Sequence, residues 1–441
     1  MLDIRFIRDN AQEVAKKSAQ KGYEVDIERL LELDAERREL QAQVDELRAR
    51  RNENAAKMKT VRTGQNGQGG KPEQPLVDEG KQIKIELAER EGYLANTEVE
   101  YTNLLKKVPN MPEADVPVGA SEDENKVEYE WGDKPEFGFE PKNHWQLAEA
   151  RGWIDKGRAT KVAGSRFAYL KGDLVQLQFA LLNYTLSVLT DENALKKIIA
   201  EAGLNVSSKP FTPILPPLMI KTDAYDAMDR LEPRDDRYKI EDEDLWLQGS
   251  AEHVLGSMHA DEIFAESDLP IRYAGYATSF RREAGTYGKD MEGIIRMHQF
   301  DKVEMESFST KETSRDEHFF FVAIQEYLLR QLKLPYRKLL KCTADIGKPN
   351  ARGVDMDVWL PGQGKYRETH TADYMTDYQA RRLQTRVRRE NGELELVHTN
   401  DATAFAMGRA LVGILENYQT EDGHVAVPEI LRPFIGNRAQ I

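Results

Sequence analysis

Residues 280–306 read FRREAGTYGKDMEGIIRMHQFDKVEME. Runs rich in β-forming residues flank a centre that holds Gly285, Gly288 and Gly293, a pattern typical of an antiparallel hairpin with a long glycine loop. Side chains alternate between the two faces of a strand, so sequence parity sorts them. The stretch is therefore predicted to form a β-hairpin with two chemically distinct faces.

One face of this hairpin is polar. Arg281 and Glu283 share a face of the first strand, and the corresponding residues of the second strand are Arg296, His298, Phe300, Lys302 and Glu304. Such a set of charges and one aromatic ring is costly to bury against a core. By composition it fits a solvated surface face. It also suits a ligand with phosphates, a flat ring and an ammonium group, such as ATP together with an amino acid.

The order of the residues favours the second alternative. Arg-x-Glu, a glycine loop and Arg-x-His-Gln-Phe-x-Lys-Val-Glu resemble the second signature motif of class II aminoacyl-tRNA synthetases, in the form of the seryl-tRNA synthetase family. The resemblance implies that Arg281 holds the ATP α-phosphate and the reacting carboxylate, and that Glu304 accepts hydrogen bonds from serine. It implies further ATP-binding roles, with Glu283 at the adenine amino group, Phe300 stacked on adenine, Arg296 at the γ-phosphate, and Met297 beside them.

Length and composition limit the protein class. With 441 residues the chain can hold two or three domains. The net charge of −14 argues against a purely electrostatic nucleic-acid coat protein. The single Cys342 excludes an intramolecular disulfide and a cysteine-based zinc site, and suits a reducing cytoplasm. Neither a signal peptide nor a membrane-spanning run is visible, so we expect a cytoplasmic protein without membrane partners.

Residues 1–26 are interpreted as a short strand or turn followed by a helix, and two long helices come next. Apolar residues at 3-4 spacing predict a seam along each long helix. The first seam comprises Leu30, Leu33, Leu40, Val44, Leu47, Asn54, Met58 and Val61. The second comprises Ile83, Leu87, Leu94, Tyr101, Leu104 and Val108. Residues 63–75, TGQNGQGGKPEQP, separate them, so an antiparallel coiled-coil hairpin is predicted.

Cations crowd the first helix near the tip of this arm, namely Arg48, Arg50, Arg51, Lys57, Lys59 and Arg62. A bare charged coiled coil fits a protein–protein spacer, whereas a cationic tip offers contacts to RNA phosphates. Seryl-tRNA synthetases carry a similar N-terminal arm that grips the long variable arm of the serine tRNA. We therefore expect a tRNA-binding domain at residues 1–110 and a catalytic domain at residues 111–441, joined at a proline-containing linker.

Residues 165–189 lead into an amphipathic helix, and PFTPILPPLM follows at residues 210–219. Together they resemble the first class II motif, which places a proline at the subunit contact. Pro216 matches that proline, with Pro217 as the alternative. The resemblance implies a homodimer, and a lone His144 upstream is interpreted as structural.

Two further stretches resemble parts of the family that hold serine. Ser250-Ala251-Glu252 falls where the family has a Thr-x-Glu element that binds the amino group, although Ser250 also fits a helix N-cap. Residues 397–436 resemble the third class II motif. There Thr403 would meet the serine hydroxyl, Asp401 stands where Asn is common, and Arg409 would meet the γ-phosphate. On its own, Arg409 also fits a salt-bridged helix residue.

Glu368 and Thr371 match family positions that bind Mg²⁺, with Thr371 in place of a Ser. Oxygen ligands suit a hard cation that bridges phosphates. Without their context the two residues would be taken for ordinary surface residues. The sequence suggests no constellation of carboxylate, His or Cys side chains for zinc.

The resemblance covers essentially the whole chain. It implies an α+β fold, with a class II antiparallel β-sheet domain flanked by helices behind an N-terminal helical arm. It also implies a ligase that joins L-serine to ATP and transfers the acyl group to the 3′ end of the serine tRNA, and it leaves open whether a selenocysteine tRNA is charged. Two alternatives stay open at this point: a ligase that loads an amino acid onto a carrier protein, and a non-enzymatic RNA-binding paralogue.

Overall fold

The computed structural model describes residues 1–63, 70–284 and 292–441, which form two compact units, Met1–Pro109 and Asn110–Ile441. Gly285 and Gly288 of the hairpin, and most of the glycine-rich tip of the arm, lie outside the described residues. The third hairpin glycine, Gly293, adopts a left-handed conformation with φ +69°.

The first unit is helical throughout its described elements. It begins with α1 (Ile4–Asp9) and α2 (Ala11–Gln20). The helix expected within residues 1–26 is present as α2, but the short strand or turn expected before it is wrong, because α1 occupies that place. The local reason is a cap: the Asp3 side chain accepts the Arg5 N–H at 2.8 Å and starts a helix at this point. The long helices follow as α3 (Ile27–Thr63) and α4 (Gln74–Leu105).

The two seams pack against each other, which confirms the coiled-coil hairpin. Their centre is a buried cluster of Leu40, Val44, Leu47, Leu87 and Leu94. Asn54 is also buried, and its amide donates to Leu76 O at 3.1 Å and to Glu79 at 3.0 Å. Toward the tip the seam is less well buried, since the Val61 side chain is 38% exposed.

The second unit mixes helices with strands. Its helices are α5 (His144–Arg151), α6 (Lys156–Ala163), α7 (Asp173–Leu189), α8 (Glu192–Ala202), α9 (Thr222–Ala227), α10 (Ala251–Ser257), α11 (Ser314–Gln331), α12 (Tyr378–Leu383) and α13 (Met407–Asn417). Its strands are β1 (Lys126–Trp131), β2 (Ile154–Asp155), β3 (Tyr169–Leu170), β4 (Thr212–Ile214), β5 (Met219–Lys221), β6 (Tyr238–Lys239), β7 (Leu245–Leu247), β8 (Ile263–Ala265), β9 (Ile271–Phe280), β10 (Gln299–Ser309), β11 (Tyr336–Leu340), β12 (Arg352–Leu360), β13 (Lys365–Thr376), β14 (Arg386–Arg388), β15 (Leu394–Leu396) and β16 (His398–Ala406).

The main sheet of the described chain has eight strands in the order β1-β11-β12-β13-β16-β10-β9-β4. Its neighbours pair antiparallel except β4, which runs parallel to β9. The antiparallel sheet expected from the sequence is thereby confirmed. Four long strands, β12, β13, β16 and β10, are central and adjacent, so polar residues far apart in the sequence meet on one surface.

The two faces of the sheet differ in character. On β10, Val303 and Met305 are fully buried in the main hydrophobic core, which also takes in apolar residues of α11 and α13. The alternate residues, Lys302, Glu304 and Glu306, lie on the opposite face. Apolar burial on one face thus anchors the sheet and leaves a polar face for chemistry.

The hairpin itself is confirmed, but its paired strands do not include the residues next to the loop, which the sequence places on strands. β9 ends at Phe280 and β10 begins at Gln299. Arg281, Glu283, Arg296 and His298 therefore lie beyond the paired strands, where strand parity does not apply. Glu283 has a left-handed φ of +52°, which a regular strand does not permit.

Two irregularities of register shape the polar face. In β13, His370 pairs with Met356 and Glu368 pairs with Asp357, so Thr369 is an extra residue that forms a bulge. A second shift lies in β16, where Phe405 pairs with Val303 and Thr403 pairs with Glu304. Each bulge brings residues three positions apart onto one surface.

No helix among residues 1–63, 70–284 and 292–441 has the length and apolar character needed to cross a membrane.

Candidate active site

A cavity of about 220 Å³ opens on the polar face of the sheet. It gathers residues predicted separately from four stretches of sequence: Glu252, Arg281, Glu283, Arg296, Met297, Phe300, Glu304, Glu368, Thr371, Asp401, Thr403 and Arg409. Among the residues predicted to bind ATP or serine, Ser250 is the one that does not line the cavity, and its side chain is fully buried.

Arg281 lies where the end of β9 meets the turn before α10. Its Nε donates to the Gly249 carbonyl at 3.0 Å, and its guanidinium carbon lies 5.4 Å from the centre of the Phe300 ring. The backbone contact and the cation–π contact together fix a guanidinium at the cavity wall. A planar cation held beside an aromatic ring is suited to a phosphate that carries an aromatic base.

Two ion pairs stand at the same end of the cavity. Arg296 Nη1 donates to Glu283 Oε2 at 2.5 Å, across the loop that joins β9 and β10. Arg409 Nη1 donates to both Glu368 O and Glu368 Oε1 at 2.8 Å. Arg409, in the first turn of α13, therefore forms a salt bridge. It also lines the cavity, so both interpretations of this residue hold for its contacts.

The bulge at Thr369 places Glu368 and Thr371 on the same cavity wall. The Thr371 hydroxyl donates to Asp355 Oδ1 at 2.7 Å, which leaves its oxygen lone pairs available to a cation. Burial raises the pKa of Asp355 to about 8, against the opposing charge of Lys341 at 3.5 Å. A carboxylate and a hydroxyl are hard oxygen donors, so this pair fits Mg²⁺.

The other end of the cavity is organised around Glu304. Its Oε2 is in an ion pair with Lys302 Nζ, and it accepts the Ser250 hydroxyl at 3.3 Å. The Thr403 hydroxyl lies 3.5 Å from Oε1, as the cross-strand pairing of Glu304 with Thr403 requires. Burial raises the pKa of Glu304 to about 7, against the opposing charge of Lys302.

Ser250 occupies the N-cap position of α10, but its side chain makes no capping hydrogen bond. Besides bonding to Glu304, its hydroxyl lies 3.4 Å from Glu252 Oε2. The N-cap interpretation therefore describes its position and not its contacts. The hydroxyl orients two cavity carboxylates instead.

Carboxylates accumulate in this region. Glu252, Glu304 and Asp401, all of which the resemblance assigns to serine, each offer an oxygen within 4.8 Å of the others. Burial and then the charge of Glu252 raise the pKa of Asp401 well above its usual range. Burial raises the pKa of Glu252 too, but the neighbouring Arg230 guanidinium prevails and holds it well below its ordinary value.

Glu306 is the most deeply buried member of this group. Neither of its carboxylate oxygens has a hydrogen-bond partner among the described residues, and the side chain is 0% exposed. Burial and the nearby carboxylate of Asp401, its partner in the β10–β16 register, raise the pKa of Glu306 well above its ordinary value.

Three charged residues of the cavity were not predicted from the sequence as site residues: Arg230, Lys302 and Asp373. Lys302 was assigned to the polar face by parity but given no role in the site. Asp373 lies two residues after Thr371 on β13, and strand alternation was signal enough to find it. Arg230 lies in a charged loop after α9, and nothing in its local sequence marks it.

His144 lies at the start of α5 and is buried. Its Nδ1 lies 3.0 Å from Glu416 Oε1, and its Nε2 accepts the Ile294 N–H at 3.3 Å. A Cβ on Gly293 would lie 1.8 Å from Nε2, so the close approach requires glycine there. These contacts agree with a structural role for His144, which supports the segment leading to Arg296.

In the first unit, the cations predicted to bind RNA are exposed on α3. Some of them are already paired: Arg48 Nη2 lies 2.8 Å from Glu91, and Lys57 Nζ lies 2.8 Å from Glu53. The helix therefore carries less free positive charge than its composition suggests.

Comparisons with known proteins agree over the whole chain. Residues 1–112 match the model of the seryl-tRNA synthetase N-terminal domain, and residues 238–418 match that of the tRNA synthetase class II core domain (G, H, P, S and T). The serine–tRNA ligase of Syntrophotalea carbinolica is 40% identical over 443 residues, covering 100% of both chains.

Two solved structures are similar along their full length. Seryl-tRNA synthetase from Pyrococcus horikoshii, complexed with ATP, is 35% identical with a TM-score of 0.86, covering 100% of this chain and 99% of the other. Cytoplasmic serine–tRNA ligase from Naegleria fowleri, in complex with AMP, is 27% identical with a TM-score of 0.82, covering 100% and 98%.

Proposed function

The chain belongs to the seryl-tRNA synthetase family of class II aminoacyl-tRNA synthetases, and we propose that its cavity activates L-serine with ATP and charges the serine tRNA. The serine carboxylate attacks the α-phosphate in line, and pyrophosphate leaves. A hydroxyl of the 3′-terminal ribose then attacks the acyl carbon of seryl-adenylate, and AMP leaves. No side chain needs to act as the nucleophile.

The convergence of Arg281, Phe300, Glu304 and Arg409 on one cavity carries this proposal. The guanidinium groups of Arg281 and Arg409 and the Phe300 ring lie at one end, and Glu252, Glu304 and Asp401 form a carboxylate cluster at the other. ATP and an amino acid present complementary groups in the same order. Positioning two substrates in this way supplies much of the catalysis of a phosphoryl-group substitution.

At the nucleotide end we assign the phosphates to the arginines. Arg281 binds the α-phosphate and the serine carboxylate, and it offsets the charge that develops as the bond to pyrophosphate breaks. Arg296 and Arg409 bind the γ-phosphate. Glu283 accepts a hydrogen bond from the adenine amino group. Phe300 stacks on the adenine base, with Met297 beside it.

Glu368 and Thr371 would hold Mg²⁺ in this assignment, since their oxygen donors fit that ion. Bound there, the cation would neutralise phosphate charge and polarise the phosphate oxygens. Arg409 lies beside them and releases Glu368 when a phosphate takes its place. The protein thus contributes the Arg409 guanidinium, which pairs with a phosphate, and the Glu368 carboxylate, which would pair with the cation.

At the amino-acid end, Glu252 and Glu304 receive the ammonium and hydroxyl groups of serine, with Thr403 and Asp401 beside the hydroxyl. Ser250 acts through the two glutamates, whose carboxylates it hydrogen-bonds. A polar subsite of this kind rejects alanine, because buried polar groups would lose their partners. Threonine is excluded by size.

We assign tRNA binding to the first unit. The exposed cations of α3 support this, since phosphate contacts position an RNA without reading its bases. Arg50 and Arg51 are the strongest candidates, because Arg48 and Lys57 already have carboxylate partners. Lys59 and Arg62, closer to the tip, would extend the contact.

We also propose that the chain works as a homodimer in the cytoplasm. Apolar side chains around Pro216 are exposed, with Leu215 at 80%, Met219 at 46% and Leu218 at 39%. Such a patch suits a contact between subunits. Light scattering of the purified protein tests the dimer, and a monomer at micromolar concentration would contradict it. A buried, unpaired Cys342 suits a reducing compartment.

Pyrophosphate exchange into ATP, measured over a panel of amino acids, tests the activation step. Serine alone should support rapid exchange. Charging of serine tRNA, compared with charging of a carrier protein, tests the second step and separates the synthetase from a carrier-protein ligase. Absence of exchange with every amino acid would favour a non-enzymatic RNA-binding protein.

A further inference from the structure

Arg230 lies at the amino-acid end of the cavity, where several segments of the chain converge on its guanidinium. Its Nε lies 3.0 Å from Glu252 Oε1, and its Nη2 lies 3.4 Å from Asp401 Oδ2 and 3.8 Å from Asp373 Oδ2. Nη2 also donates to Asn350 Oδ1 at 3.2 Å. The side chain is only 15% exposed, so these contacts are made in a largely desolvated place.

The guanidinium connects α10 to two strands that the sheet already pairs, with Asp373 opposite Asp401 in the β13–β16 register. Glu252 belongs to α10, Asp373 to β13 and Asp401 to β16. Without the cation, three carboxylates would face one another with little water between them, which is strongly unfavourable. Arg230 therefore decides both the charge and the shape of this end of the cavity.

We propose that Arg230 is a specificity-determining residue, which limits the amino-acid end of the cavity to a short, uncharged side chain such as that of serine. This rests on the proposed function, in which Glu252 and Asp401 flank the substrate. Since Arg230 contacts both, its guanidinium occupies the space that a longer substrate side chain would enter.

The three carboxylates define what would enter if the guanidinium were absent. A substrate with a second ammonium group, such as L-2,4-diaminobutyrate, meets a like charge and a filled space in the wild-type cavity. Truncation of Arg230 removes both obstacles and leaves carboxylates to pair with the new ammonium. Arg230→Ala should therefore gain activity with the diamino acid, which the loss of a merely structural residue would not give.

The test measures pyrophosphate exchange into ATP, as a function of amino-acid concentration, for the wild type and for Arg230→Ala. We expect the KM for serine to rise by roughly 30-fold or more, because a partner of a buried charge pair is lost. The KM for ATP should stay nearly unchanged, and exchange with L-2,4-diaminobutyrate should appear. Arg230→Lys keeps a cation in place and should still exclude the diamino acid.

Arg234→Ala is the matched control, since Arg234 lies in the same loop, is 58% exposed and pairs with Glu232. It should behave as the wild type. If Arg230→Ala does not fold, Arg230→Gln replaces it, and its KM for serine should exceed that of Arg230→Lys. Equal values for Gln and Lys would overturn the inference.

Wild-type exchange separates the two hypotheses. Absence of serine-dependent exchange in the wild type would remove the proposed function itself. If the wild type uses serine but folded Arg230→Ala does not gain the diamino acid, the proposed function stands and the role of Arg230 in specificity is wrong.

Discussion

Arg409 Nη1 donates to Glu368 Oε1 at 2.8 Å, so the proposed ligand of the γ-phosphate is bonded to the proposed ligand of Mg²⁺. In a complex with magnesium and a triphosphate, the guanidinium would pair with a phosphate and the carboxylate would pair with the cation. The pair thus keeps two charges neutralised at the cavity mouth and can exchange both partners together.

This relationship predicts a defect in metal use for Glu368→Gln. The amide keeps the shape and can still accept from Arg409, but it is a weaker ligand for a hard cation. The Mg²⁺ concentration for half-maximal exchange should rise by roughly tenfold or more. EDTA should abolish exchange in both proteins. Glu421→Gln, on an exposed turn, is the control, and an unchanged Mg²⁺ requirement in Glu368→Gln would contradict the assignment.

Arg281→Ala should nearly abolish adenylate formation while the protein stays folded. The guanidinium stabilises charge that develops in the transition state, and loss of such a donor typically costs about 3–4 kcal/mol. Pyrophosphate exchange under saturating substrates measures the effect, and circular dichroism checks the fold. Arg282→Ala changes the exposed neighbour and should retain activity. Near-normal exchange in folded Arg281→Ala would remove the assigned role.

The use of serine should depend on pH through Glu304. Its carboxyl has a pKa of about 7, so it becomes protonated as the pH falls below that value and then accepts hydrogen bonds from serine less well. The kcat/KM for serine reports groups of the free enzyme and should therefore fall below about pH 7. The kcat/KM for ATP at saturating serine serves as the comparison. A flat serine profile between pH 6 and 8 would show that Glu304 is ionised throughout.

Glu306→Gln should stabilise the protein increasingly as pH rises. The folded pKa lies well above the ordinary 4.5, so above that pH the folded state holds a proton that the unfolded state has released. The free energy of unfolding of the wild type therefore falls as the pH rises, by up to about 1.4 kcal/mol per pH unit. The neutral amide of Glu306→Gln does not titrate, so the variant has no such loss. Thermal unfolding at pH 5 and pH 8 measures it. The variant's advantage should widen between them, and a constant difference would contradict the assignment.

Removal of the distal arm should separate the two reactions. α1 must stay with the base of α3, because Arg8 Nε lies 3.2 Å from the buried Asp34, and Glu36 accepts the Thr97 hydroxyl at 3.3 Å. A protein without residues 41–92, closed by a short glycine loop, should keep serine-dependent exchange. Charging of serine tRNA should collapse.

Point variants of the arm test the electrostatic part. Neutralising Arg48, Arg50 and Arg51 should flatten the salt dependence of tRNA binding, since each phosphate contact releases counterions. Glu91→Gln frees Arg48 from its partner and should strengthen binding slightly. If the protein without the distal arm charges tRNA normally, the arm is a spacer or a protein-binding element.

Much of the site was predictable because its residues stand in ordered motifs. Arg281, Glu283, Phe300 and Glu304 were recognised from one continuous stretch, and all line the cavity. The helical arm was predictable as well, since a seam at 3-4 spacing has one way to be buried. The short strand or turn expected at the start of residues 1–26 is wrong, because the side chain of Asp3 caps a helix there.

The sequence by itself determined the polar face of the hairpin, the apolar seams of the arm and the family to which the chain belongs, because these depend on local order and periodicity. Only the tertiary structure decided that Glu368 and Thr371 share a wall, through the bulge at Thr369, and that Arg230 meets Glu252, Asp373 and Asp401. The physical reason is that strand register and long-range ion pairs depend on the partner segment, which the local pattern of a single segment does not specify.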